Sequence, residues 1–483
     1  MTLKDKAIKG VSWSLAGHII QNLISFIIGI ILARLLSPPQ YGLIGMATVF
    51  IYVSYVFIDS GFSSALIQRQ NCTSADYSTI FYVNFAVSLL FYLILFFIAG
   101  PISRFYKEPQ LRSIIKVLSI LIILFALSIV QKSIISKQIN FKLLNMINIS
   151  SQVVSGSVGV GLAYHGYGVW SLVWKTLLNQ LLIDIQLWVF NRWLPTWEFN
   201  RKALREMFSF SSKLLLSGII NRIYDQLYNL IIGKYYSAKE LGLYSRAQHF
   251  QSLPSQSLSG AIMSVSFPVF SEIQKDTVRM KRVARQIIKS TMYVNIVAMF
   301  GLAAISRQLI VALIGTKWIA ATPYLQLLCV VGLLYPLHPI NLNIITAMGR
   351  SDLFLRLEII KKLLAIPVIL IGILTSVKNM ILGMVISSII AVFINSHYTK
   401  ALIDYGIKEQ FRDISGSMLV GTFMGLIVYG FGFLLQHAFN DLQVVSLQIF
   451  AGVLIAIALS MMFRISEYQE FKTILLKKVL KKV

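Results

Sequence analysis

The sequence predicts an all-α polytopic membrane protein of about fourteen transmembrane helices, arranged as two six-helix lobes with two helices appended. Three observations carry the class. Of the 483 residues, 56% are hydrophobic and only 13% charged, where a soluble chain carries about a quarter charged. Mean hydropathy is +0.72. Apolar runs of about 20 residues recur along nearly the whole chain, each long enough to cross a hydrocarbon core of about 30 Å as a helix. The runs are continuous and do not alternate, which argues against a β-barrel.

Taken in order, the first run, 11–36, is too long for a signal-peptide core and no small-residue cleavage site follows it, so it reads as helix 1. Runs at 41–66, 78–100, 114–136, 143–164 and 167–190 complete six spans; the fourth carries Lys116 near its start. The segment "NRWLPTWEFNRKALREMF" (191–208) is charged and aromatic and reads as an amphipathic helix lying in the inner membrane surface. Spans follow at 208–232, 242–270, 288–306, 323–347, 356–375, 379–400, 414–435 and 443–463. The eighth, with Arg246, His249, Pro254 and Pro268, is barely apolar enough to span. These boundaries give a first lobe over 1–190, a linker over 191–207, a second lobe over 208–402, appended helices over 403–463 and a basic tail over 464–483.

Basic residues test the count. With Lys4, Lys6 and Lys9 placed in the cytoplasm, alternate loops collect Arg69, Lys132, Lys137, Lys142, Arg192, Arg201, Lys202 and Arg205 in the first half. About 30 of the 44 Lys and Arg fall inside and about 10 outside. The asymmetry predicts both termini in the cytoplasm. It also accounts for most of the formal charge of +25 without nucleic acid, for which interleaved aromatics on a soluble module would be expected. The two cysteines, Cys72 and Cys329, form no disulfide framework or metal motif.

One junction is written twice. "ARLLSPPQYGLIGMATVF" (33–50) and "GKYYSAKELGLYSRAQHF" (233–250) align at a constant offset of 200, pairing Arg34 with Lys234, Ser37 with Ser237, Gly42 with Gly242, Ala47 with Ala247 and Phe50 with Phe250. Six helices separate the copies. An even number keeps the orientation, so the halves read as parallel repeats about an axis along the membrane normal, the layout of alternating-access transporters.

The segment 221–276, with the Asp of "YDQL", the Gly of "IIGKYYS", "ELGLYSRAQHF", "LPSQ" and "FPVFSEIQKD", resembles the polysaccharide-transport family of the multidrug/oligosaccharidyl-lipid/polysaccharide exporter superfamily. "GYGVWSLV" (166–173) and "ARLLSPPQYGLIGM" (33–46) are similar to it too, and the likeness covers essentially the whole chain. It is nearest the lipopolysaccharide-biosynthesis, colanic-acid-exporter branch. The resemblance implies two six-helix lobes around a V-shaped cavity. It implies a flippase for undecaprenyl-pyrophosphate-linked sugar units in the bacterial inner membrane, working beside a polysaccharide polymerase and glycosyltransferases. No cofactor is implied, and coupling to H+ or Na+ stays open.

Such a carrier needs cations for phosphate and a polar path for sugar, and ionisable groups at membrane depth are costly enough to mark such a path. The candidates are His18 and Asn22 in helix 1, Asp59 in helix 2, and Lys175 and Asp184 in helix 6. Helix 7 adds Lys213, Arg222 and Asp225, and helix 8 adds Arg246. Arg222 and Asp225 stand at i, i+3 on one face, with Tyr224 and Tyr228 nearby to stack on sugar rings. Asp59 and Asp184 are the coupling candidates. Each has a plainer reading: Lys213 snorkels to the surface, Lys175 pairs with a carboxylate, Asp59 caps a kink beside Gly61, and His18 is packing. Arg222 resists one best, because a mid-helix guanidinium suits bidentate phosphate binding.

Three other functions compete. A drug or cation antiporter of the same superfamily would want an anionic cavity. A lipid II flippase shares every feature above. A membrane polymerase or glycosyltransferase would want a long external loop or a catalytic domain, and no carboxylate pair, His cluster or nucleotide-binding glycine loop stands out here.

Overall fold

The computed structural model describes residues 3–469; side chains of residues 3–12, 14 and 15, and of parts of 209–217 and 256–265, lie outside the description. Most of the basic tail therefore falls outside it. Among the described residues the fold is 87% helical without strands.

Seventeen α-helices follow one another. The first eight are α1 (Leu3–Leu35), α2 (Pro38–Asp59), α3 (Phe62–Gln68), α4 (Ser74–Tyr106), α5 (Leu111–Leu118), α6 (Ile120–Lys137), α7 (Phe141–Tyr164) and α8 (Val169–Asn191). Then come α9 (Arg201–Tyr235), α10 (Ala238–Glu272), α11 (Thr277–Ile314), a 3-10 turn (Thr316–Ala321), α12 (Thr322–Leu333) and α13 (Leu337–Ala347). The last four are α14 (Ser351–Leu374), α15 (Val377–Ile403), α16 (Ile407–Leu435) and α17 (Asp441–Met462).

Each of the fourteen expected spans is helical, and three of them break in two. The second breaks at Ser60 and Gly61, both left-handed at φ 46° and 80°, a conformation that stops a helix. The fourth breaks after Leu118, and the tenth at the turn before Pro336. Asn295 on α11 fills the tenth's gap, donating to the carbonyls of Gly332 and Leu333 at 3.0 Å each.

Ten spans are apolar enough to cross a membrane by length and composition alone, among the described residues. The four that fall short are α8, α9, α10 and α14. They hold Lys175, Asp184, Arg222, Asp225 and Arg246. These residues lie on α8, α9 and α10, whereas α14 carries Asp352, Arg356, Glu358, Lys361 and Lys362; charges kept at membrane depth are expected to face a cavity or a partner.

The chain divides into two compact units, Met1–Gly242 and Leu243–Val483. In the first, α1 packs on α7, α7 on α8, α8 on α6, α6 on α4, and α9 on α2, α3 and α4. One correction falls here. No separate amphipathic helix forms over 191–208: residues 192–200 run extended, and 201–208 are the first turns of α9. Side chains of neighbouring helices take the strap's backbone groups. Thr196 N donates to Ser78 Oγ at 2.8 Å, Asn200 N donates to Thr79 Oγ1 at 2.8 Å, and the Trp193 carbonyl accepts from Gln131 at 3.1 Å. Trp193 packs edge-on to Tyr77 and Phe81. Pro195, which lacks the N–H, also disfavours a helix through the middle of the strap.

In the second unit, α11 packs on α12, α16 and α17, and α15 on α12, α13 and α14. A buried polar knot ties α13, α15 and α16: Asn341 and Gln410 exchange two amide hydrogen bonds at 3.1 Å, and Ser396 and Thr399 donate into the pair.

The duplicated junction acquires a physical meaning in the first unit. A Cβ on Gly42 would stand 1.7 Å from the Ala238 carbonyl oxygen, and one on Gly242 would stand 1.9 Å from that of Pro38. Pro38 and Ala238 are themselves partners at the offset of 200. Each copy of the turn therefore presses its glycine onto the same backbone carbonyl of the other, the reciprocal contact that a two-fold relation generates. Both turns open a helix at a serine, by complementary halves of a capping box: Ser37 N donates to the Gln40 side chain at 2.8 Å, and Glu240 N donates to Ser237 Oγ at 3.1 Å.

Candidate functional site

A cavity of about 540 Å³ opens in the first unit among α2, α6 and α9. Gly218, Asn221, Arg222 and Asp225 line it from α9. Their spacing of three, four and seven residues is one helical face. Gly218 lets the helices close: a Cβ there would already touch Val56 of α2 at 3.0 Å.

The guanidinium carbon of Arg222 lies 5.5 Å from the ring centroid of Tyr52 on α2, in cation–π range. A guanidinium carries five N–H donors in a planar fork that suits a planar or tetrahedral anion. Tyr55, one turn on, stacks on Phe125 of α6 at 4.1 Å. Asp59 also lines the cavity, but its Oδ1 already accepts from Ser63 N at 3.1 Å and from Ser63 Oγ at 2.5 Å. It caps α3 across the kink at Ser60 and Gly61, the plainer of the readings open to it.

A second cavity of about 340 Å³ lies among α1, α7 and α8. Its wall is rich in amides, with Asn22, Asn148, Gln152 and Asn179, and Lys175 is its charged member. Small residues again set the approach of the helices: a Cβ on Gly17 would strike Asn145, and one on Gly159 would strike the stem of Lys175. Asn145 is fixed between Gln21 at 2.9 Å and the Trp13 carbonyl at 2.8 Å.

Asp184 lies deeper, 4% exposed. Gln180 donates to it at 2.9 Å, and Lys132 of α6 acts on it electrostatically. Lys132 also stands 6.0 Å from the ring of Phe125, so it backs the aromatic stack beside the first cavity. By its loop position Lys132 counts with the cytoplasmic bases; in the fold it is inside a membrane helix.

The structure therefore gathers Arg222, Asp225 and Asp59 in one cavity, and Asn22 and Lys175 in another. Tyr224 and Tyr228 are half-buried on α9, outside the first lining, and His18 is exposed on α1, outside both. Arg246, half-buried on α10, belongs to the second unit. The Lys213 side chain lies outside the described residues. Among those residues, no three His, Cys, Asp or Glu side chains gather as a metal site.

Long helices, cavities each walled in part by one of the less apolar of them, and a junction written twice define a polytopic membrane protein. A solved structure titled lipid II flippase MurJ, inward closed conformation, shares the chain's fold with TM-score 0.75 at 14% identity, over 94% of this chain and 99% of that one. Residues 31–323 match the family described as polysaccharide biosynthesis protein, and the chain belongs to that family. It is 24% identical over 484 residues to the teichuronic acid biosynthesis protein TuaB of Bacillus subtilis, covering 99% of each. It is 26% identical over 375 residues to the lipopolysaccharide biosynthesis protein WzxC of Escherichia coli, covering 77% of this chain and 76% of that one.

Proposed function

We propose that this protein is a flippase that moves polyprenyl-pyrophosphate-linked oligosaccharide units across the bacterial cytoplasmic membrane by alternating access, supplying a surface polysaccharide. It has both termini in the cytoplasm and works alongside a polymerase and glycosyltransferases. Family membership and the names of its relatives support a transporter over an enzyme. The observation that carries the substrate class is the cavity face of α9: Arg222 lines the cavity within cation–π range of Tyr52.

The steps follow from that face. A pyrophosphate entering the cavity takes charge-assisted hydrogen bonds from Arg222, roughly 1.5–3 kcal/mol each before desolvation. Asp225, on the same face, repels the anion and helps to release it. The amides around Lys175 offer both donors and acceptors, which suits sugar hydroxyls. A drug-cation antiporter would want a carboxylate in that second cavity, and its wall has a lysine instead. Of the two carboxylates considered for H+ or Na+ coupling, Asp184 fits better than Asp59, whose oxygen is held by Ser63.

The test is polymer export from cells carrying Arg222 variants, normalised to the amount of protein in the membrane. Arg222→Ala should lose most export, and Arg222→Lys, which keeps the charge but not the fork, should keep part of it. Parental export by Arg222→Ala at normal abundance removes Arg222 from the site.

A further inference from the structure

A further cleft of the first unit is neither of these cavities. It measures about 940 Å³ and lies where α4 ends and α5 begins. Arg104, Lys107, Arg112 and Lys116 line it, with Glu108 as the one acidic neighbour. Lys116 stands 4.2 Å over the ring of Phe96, and no ion pair within 4 Å engages any of the four cations among the described residues.

The site is built rather than incidental. Lys107 adopts a left-handed φ of 59° that ends α4. Ser103 locks the turn, its carbonyl accepting from Glu108 N at 3.1 Å and its hydroxyl donating to the Glu108 carbonyl at 2.8 Å. Helix α5 buries Leu111, Ile114, Ile115 and Leu118. That leaves Arg112 and Lys116 on its other face. Gly100 opens the floor: a Cβ there would meet nothing within 4 Å. Below the cations, Phe97, Leu93 and Leu90 are exposed along one face of α4, an apolar track leading from the charged cleft toward the membrane interior.

We propose that this cleft binds the headgroup of an anionic phospholipid, its phosphate on Arg104, Lys107 and Arg112 and an acyl chain along the α4 track. Charge complementarity selects the ligand: four cations against one carboxylate at the end of two membrane-spanning segments is a site for a membrane phosphate of net negative charge. The apolar track selects a lipid over a free anion. Under the topology proposed above the turn lies on the outer face, where Lys and Arg are sparse, so a cluster there needs a reason. The binding itself does not depend on that topology or on transport.

The experiment is native mass spectrometry of the purified full-length protein titrated with phosphatidylglycerol or with phosphatidylcholine. Phosphatidylglycerol should be retained about tenfold better. Arg104→Gln/Lys107→Gln/Arg112→Gln should lose most of that preference. So should Gly100→Leu, which keeps every charge and fills the floor, and which decides the matter if the triple variant does not fold. Lys275→Gln/Arg279→Gln/Arg282→Gln, removing equal charge elsewhere, should retain it. Equal retention of phosphatidylcholine, an equal loss in the control, displacement by millimolar inorganic phosphate, or retention of a polyprenyl pyrophosphate in place of phosphatidylglycerol would each overturn the assignment.

Discussion

Asp184 and Lys132 pose the sharpest question among single residues. A carboxylate 4% exposed between helices α8 and α6 needs a partner of opposite charge, and Lys132 is the one that acts on it. Removing one of two buried opposite charges leaves the other without its counter-charge, while removing both is milder. Asp184→Asn and Lys132→Met should therefore each lower the unfolding temperature in detergent, and the double variant should recover much of the loss. Additive losses would mean the two do not interact. A stable Asp184→Asn protein that no longer exports would move the residue from structure to coupling. The pair also shows where reading the sequence fell short. Arg222 was legible because a guanidinium in mid-helix has no cheap structural explanation. Lys132 was not, because a lysine near a helix end is ordinarily a loop residue, and only the packing of α6 on α8 decides otherwise.

At the scale of elements, hydrophobic run length located every span, because in a bilayer apolar length is the dominant constraint. What it could not locate were the interruptions. The break before Pro336 is filled by a side chain from another helix, Asn295, and the one at Ser60 is capped by Asp59 across the kink. The 192–200 strap depends on acceptors in α4, so its amphipathic composition suggested a helix that does not form. The duplicated turn was legible as a pattern, but the contact it makes was not. That contact is open to test. At Gly42 a methyl would sit 1.7 Å from a backbone oxygen, and at Gly242 1.9 Å, so either alanine must force the two turns apart. Overpacking of this kind costs about 1–3 kcal/mol. Gly42→Ala and Gly242→Ala should each depress stability and export. Because they break one reciprocal contact, the double variant should do little more harm than either alone. Gly161→Ala, whose added methyl meets nothing within 4 Å, is the control. A Gly42→Ala protein with parental unfolding temperature and export would show that the close approach is dispensable.

For the whole molecule the open choice is between ten and fourteen crossings, and one loop decides it. Ten helices are apolar enough to span unaided, and α8, α9, α10 and α14 are not. Both totals are even, so either puts the two termini on one side and a reporter at the C-terminus cannot separate them. The strap before α9 can. With fourteen crossings it follows six spans and lies with the N-terminus; with ten it follows five and lies opposite. Arg192, Arg201, Lys202 and Arg205 cluster there, and bases of short loops stay in the cytoplasm. Two of the helices that fall short, α8 and α9, carry Lys175, Asp184, Arg222 and Asp225. A helix that keeps such groups in a cavity, away from lipid, crosses the membrane despite a modest mean hydropathy. The prediction is that a cysteine placed at Asn200, in a background without Cys72 and Cys329, is shielded from a membrane-impermeant maleimide in intact cells and labelled only after permeabilisation. A cysteine at Glu108, three spans from the N-terminus, should be labelled in intact cells. Labelling at Asn200 from outside would leave α8 to α10 outside the membrane plane, and the Arg222 cavity with them.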